Sequence, residues 1–204
     1  MYSKKEKRSD VLVAIDVYLL EMAALYGTKF TVQHGITQII GFITIVYVLS
    51  IVFVLIKDKS PVNLGFSKEK IKINSIIAAW IIILAFVFGI CFSKITLTQL
   101  LKTGLRILIM TALREELLFR GIVQNYLMAL PGKKWISFVI GGVFFATIHI
   151  PLYSLNSPGL PLWLQLVFAF ISHFIFCLIT YWRKDITIPV AIHFLIDFLG
   201  DVIG

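Results

Sequence analysis

Charge is scarce in this chain of 204 residues: Asp, Glu, Lys and Arg make up 15% of it, where an ordinary soluble domain carries about 25%. With 59% hydrophobic residues and a mean hydropathy of +0.93, too little polar surface remains to cover a globule in water. A soluble enzyme is excluded, and lipid is the solvent for most of the chain. Cysteine is equally sparse. Cys91 and Cys177 lie within apolar runs without CxxC or His-linked spacing, which argues against a disulfide framework or a thiolate metal site and leaves both as plain lipid- or core-facing residues. Repeats and low-complexity tracts are absent, so the chain reads as a single membrane domain, 1–204, with N-terminal helices over 1–96 and a core over 97–204.

Basic residues outnumber acidic ones, giving a net charge of +8. They sit in short clusters between apolar runs, a pattern that sets membrane topology and does not form a nucleic-acid footprint. No nucleic-acid partner is expected. The start, with Lys4, Lys5, Lys7 and Arg8, precedes an apolar run over 11–27 that Asp16 and Glu21 interrupt, and no small-residue cleavage site follows. The run is therefore expected to belong to the mature protein.

Six further runs approach the length of about 20 residues that a bilayer requires: 36–56, 75–93, a longer stretch over 97–130, then 135–150, 162–182 and 186–203. The fold expected is an all-α, polytopic bundle of about six or seven transmembrane helices with a membrane-buried active site. The run over 11–27 either spans or lies in the interface. Breakers separate the runs at Lys57 to Pro61, Pro131 to Lys134, Pro151 to Pro161 and Arg183 to Asp185. If every run crosses once, the N-terminal cluster, the loop with Lys57, Lys59, Lys68, Lys70 and Lys72, the Lys133-Lys134 turn and the Arg183-Lys184 turn share one side. The positive-inside rule makes that side cytoplasmic.

Ionisable residues inside the runs are costly, and so mark function by default. They are Glu115, Glu116, Arg120, His149, His173, His193, Asp197 and Asp201. At a helical rise of about 1.5 Å per residue, Glu115 lies roughly 22–24 Å from the Pro131 turn, His149 about 22 Å from Lys134, His193 about 13 Å and Asp197 about 20 Å from Lys184. Three helices thus bring polar groups to similar depth, where each can satisfy another. Glu116 and Arg120, four apart, predict an ion pair on one helix face. Glu115 is turned about 100° away and left free for chemistry. His193 and Asp197, also four apart, face one cavity, and Phe145, one turn before His149, offers it a wall. For the others the structural reading is stronger. His173 is expected to hydrogen-bond between helices, His34 to sit at the interface, Asp201 to face water, and Asp16 and Glu21 to be interfacial.

Glu115-Glu116-x-x-x-Arg120, Phe145-x-x-x-His149 and His193-x-x-x-Asp197, in that order on successive apolar helices, resemble the motifs of the CAAX prenyl protease and bacteriocin-processing family, CPBP or Abi, whose eukaryotic branch cleaves prenylated CAAX proteins. The resemblance covers 97–204. It implies an intramembrane endopeptidase that uses a glutamate-activated water on a membrane-associated or secreted peptide or protein, with no metal. Glu115 would be the general base and His149 would orient the water. His193 and residue 197 would stabilise the oxyanion, with Glu116 and Arg120 in support. The family motif often ends in asparagine where this chain has Asp197, which must be protonated or must orient His193. Two other readings stand beside this one: a zinc hydrolase using His149, His193 and Glu115 or Asp197, and a non-proteolytic bacteriocin self-immunity protein that binds a partner. The composition points to a bacterial cytoplasmic membrane.

Overall fold

Helices account for every regular element among the described residues, which are 8–33, 40–132, 134–154 and 159–203 of the computed structural model. Lys4, Lys5, Lys7, His34 and Lys133 lie outside them, as do 155–158 of the Pro151–Pro161 loop. Seven helical stretches are described: α1 (Arg8–Gln33), α2 (Ile40–Asp58), α3 (Ile71–Phe92), α4 (97–127), α5 (Lys134–Ile148), α6 (Leu162–Arg183) and α7 (Thr187–Ile203). Three helical segments, α3, Lys134–Tyr153 and α6, are long and apolar enough to cross a membrane. Exposed Ile73, Ile76, Trp80, Ile83, Leu84 and Phe88 give α3 a surface suited only to lipid. The chain is an integral membrane protein with an all-helical bundle fold.

Local chemistry sets the helix ends. Thr96 and Gln99 form a capping box at the start of α4, satisfying amides that the helix itself leaves unpaired. Asp185, fully buried, accepts the Thr187 amide at 2.8 Å and the Ser67 amide at 2.7 Å. It therefore starts α7 and ties down the 61–67 connection at once. Pro151 does not end the helical path as its place in the sequence suggests. α5 breaks at Ile148 and a further turn, Ile150–Tyr153, follows with Pro151 in its first positions, where a missing N–H costs nothing. His149 stands at that junction.

Contacts between helices gather the basic turns at one end. Lys57 pairs with Asp10 at 2.6 Å, Tyr126 donates to Asp58 at 2.6 Å, Arg183 donates from Nε to Asn74 at 3.0 Å, and Lys134 donates to Tyr181 at 3.1 Å. At the other end Lys29 donates to Ser154 at 2.7 Å and Arg106 pairs with exposed Asp201 at 2.6 Å. α1 touches both ends, so it runs the height of the bundle and does not lie flat against it. At 26 residues its length of about 39 Å suffices.

α4 belongs to two cores. Leu100, Ile107 and Ala112 pack with Phe194 and Phe198 of α7 and Ala85 of α3, while Leu117 to Leu127 pack with α1, α2, α5 and α6. Glu115 and Glu116 fall where α4 passes from one core to the other. Gly121 on the second half lets the backbone of Leu64 approach so closely that an added methyl would overlap the Leu64 carbonyl. Gly121→Ala is therefore expected to lower stability by about 1–3 kcal/mol, measured as the thermal midpoint of protein purified in detergent.

Candidate active site

Two stretches of α4, Ile107–Leu113 and Leu117–Val123, are π-helical and flank Arg114–Glu116. A π-turn widens the helix and departs from the 100° step that the sequence spacing assumes; such turns recur at functional sites. Glu115 and Glu116 consequently reach the same histidine. His193 Nδ1 lies 2.9 Å from Glu116 Oε1, and its Nε2 lies 3.8 Å from Glu115 Oε2 and 3.4 Å from Asp197 Oδ2.

Behind Glu116, fully buried Arg120 places Nη1 at 3.0 Å from the same Oε1. Its guanidinium is sandwiched by Phe145 at 4.3 Å and Phe176 at 5.1 Å. Each ring also touches a histidine, Phe145 against His149 and Phe176 against His193. A cation held between aromatic faces is favoured by the ring quadrupoles, so Arg120 fixes the back wall of the site as well as balancing Glu116. His149 Nδ1 donates to the Phe145 carbonyl at 2.6 Å, which leaves Nε2 directed at Glu115 Oε2, 3.5 Å away.

These groups line a cavity of about 380 Å³ whose wall includes Glu115, His149, His193, Asp197, Phe145, Tyr153, Phe168 and Phe176. Carboxylate and imidazoles form one polar patch in a wall that is otherwise mostly aromatic and aliphatic. Asp197 is the most open of the polar group, with 34% of its side chain exposed. The structure thus brings Glu115, Glu116, Arg120, Phe145, His149, His193 and Asp197 together. Among the described residues no group of three or more His, Cys, Asp or Glu side chains is arranged to hold a metal ion.

Other residues fall differently. His173 hydrogen-bonds between helices, its Nε2 meeting Gln124 Oε1 of α4 at 3.3 Å. Cys177 is buried in the core, where its Sγ lies 3.1 Å from that same nitrogen, one turn along α6. Cys91 is exposed on the lipid-facing surface. Asp16 is exposed, whereas Glu21 is buried and not interfacial, because Arg114 Nη1 reaches it at 3.3 Å. Arg114 also lies 3.7 Å from Glu115 Oε1. Sequence reasoning passed over Arg114, although an arginine inside an apolar helix directly before Glu115 carries the same signal as the acids. Tyr153 and Phe176 had no such signal, being ordinary in apolar runs.

An all-helical membrane bundle thus encloses a glutamate, two histidines and an arginine-backed second glutamate, and ionisable groups buried in a membrane mark a functional site. The sequence profile of the type II CAAX prenyl endopeptidase Rce1-like family matches residues 97–199, about half of the chain, and the chain belongs to that family. Membership makes it an intramembrane endopeptidase in general class. Comparison with curated proteins and with solved structures returns no match.

Proposed function

We propose that the chain hydrolyses a peptide bond of a membrane-associated or secreted peptide or protein, using a water activated by Glu115. The observation that carries this reading is the placement of Glu115 Oε2 at 3.5 Å from His149 Nε2 and 3.8 Å from His193 Nε2 on the cavity wall. Glu115 takes a proton from a water that His149 orients, and the hydroxide adds to the scissile carbonyl carbon. The oxyanion so formed lies against His193, whose Nδ1 is held by Glu116, so that Nε2 is the nitrogen left for the cavity. Collapse of the intermediate breaks the C–N bond, and the proton on Glu115 passes to the leaving amine. Asp197, 3.4 Å from His193 Nε2, orients that ring; an ionised carboxylate aimed at the oxyanion would oppose the reaction.

The mostly apolar wall favours a substrate that is hydrophobic beside the cleaved bond. The clustered basic turns support, by the positive-inside rule, a cytoplasmic side for their end of the bundle, in a bacterial cytoplasmic membrane on the compositional reading. Mass spectrometry of membrane and secreted peptides from cells carrying wild-type or Glu115→Ala protein tests this. New termini confined to wild-type cells are expected, and identical peptide sets would overturn the reading. Purified protein is expected to cleave the peptides so found at an unchanged rate in excess EDTA, since Glu115 supplies the base; loss of cleavage restored by zinc would overturn the metal-free mechanism.

A further inference from the structure

α1 lies wholly outside the matched residues 97–199, yet it delivers a carboxylate to the rear of the site. Tyr18 seats the helix on α5, its hydroxyl 2.8 Å from Thr147 and its ring stacked on Phe144 at 4.2 Å. One turn further, Glu21 meets Arg114 Nη1 at 3.3 Å, while Arg114 Nη2 stands 3.7 Å from Glu115 Oε1. Glu115 therefore divides its oxygens: Oε1 faces the guanidinium and Oε2 faces His149 and His193. Glu21 and Arg114 are both largely buried, and among the described residues Glu21 Oε2 and Arg114 Nε have no hydrogen-bond partner.

From this arrangement we infer that Glu21 is a positioning residue for the reaction, acting through Arg114. Held by Glu21, the guanidinium stays at a distance that orients Glu115 without capturing it. Released, its planar fork would close on Glu115 as a bidentate pair and draw Oε2 away from the two imidazoles. The inference rests on the reading of Glu115 as the base. It assigns part of the site to a helix that the family match does not include.

The test uses the whole 204-residue chain in detergent and the isosteric Glu21→Gln variant, which keeps the packing and removes the charge. One arm needs no catalysis: side-chain ¹⁵N signals of His149 and His193 are recorded in wild-type, Glu21→Gln, Arg114→Gln and double-variant protein, assigned by single histidine replacements. Glu21→Gln is expected to move both signals, and to move neither once Arg114 is already Gln. The second arm follows cleavage of a farnesylated CAAX peptide carrying a fluorophore and quencher. There Glu21→Gln is expected to lower kcat about ten- to a hundredfold with KM unchanged, and the double variant to lose no more than Arg114→Gln alone. Histidine signals that ignore Glu21→Gln, or that respond equally with and without Arg114, would overturn the inference. If wild-type protein leaves the farnesylated peptide intact, that substrate is wrong, and the spectroscopic arm still decides the role of Glu21.

Discussion

Glu115→Gln protein is expected to cleave its substrate about 10²–10⁴-fold more slowly than wild type while keeping its thermal midpoint. Glutamine fills the same volume but keeps a single acceptor oxygen where the carboxylate has two, Oε2 at 3.5 and 3.8 Å from His149 and His193 and Oε1 at 3.7 Å from Arg114. It cannot take a proton from water. Loss of rate without loss of structure therefore separates a base from a scaffold residue. The comparison requires purified protein, a peptide with a mapped cleavage site, and fluorescence-detected unfolding of the same samples. Cleavage by Glu115→Gln at the wild-type rate would remove Glu115 from the chemistry. A rate loss matched by a fall in stability would give it a structural part.

Arg120→Ala is expected to act in the opposite way, through the fold. Glu116 and Arg120 are both fully buried, 3.0 Å apart, and deleting one member of such a pair leaves an uncompensated charge at a cost of about 3–5 kcal/mol. The alanine also leaves Phe145 and Phe176 without the guanidinium between them, loosening the rings that touch His149 and His193. Replacing both partners at once, Glu116→Met with Arg120→Met, removes the stranded charge, and most of the stability is expected to return. Cleavage is not expected to return, because His193 Nδ1 then lacks its partner at 2.9 Å. Thermal unfolding and cleavage of the single and double variants check the pair. Equal stability of Arg120→Ala and wild type would mean that the ion pair contributes nothing to the fold.

Much of this architecture was legible from the sequence because lipid imposes harsh rules. Apolar runs separated by basic and proline-bearing turns gave the helices and their alternation, and the price of burying charge singled out the acids and histidines. Geometry tied to helical period transferred less well. Glu115 and Glu116 were expected to diverge by the angle of an α-helical step, but the π-helical stretches on either side of 114–116 let both reach His193. Glu21 was misplaced because an acid in a run of 26 helical residues looks interfacial until its arginine, 93 positions away in the chain by their residue numbers, is brought alongside. Pro151 looked like a stop, yet a proline opening a new turn lets the helical path bend at His149.

The uneven placing of the cross-helix bonds governs how such a molecule can breathe. Asp185 with Ser67, Tyr126 with Asp58, and Arg183 with Asn74 pin the helices together at one end. Toward the other end, the bonds among the described residues include the exposed Lys29–Ser154 and Arg106–Asp201 contacts and that of Tyr18 with Thr147. The helices then resemble the ribs of a fan gathered at its handle. The cavity with His149 and Asp197 lies toward the tips, away from the buried Asp185.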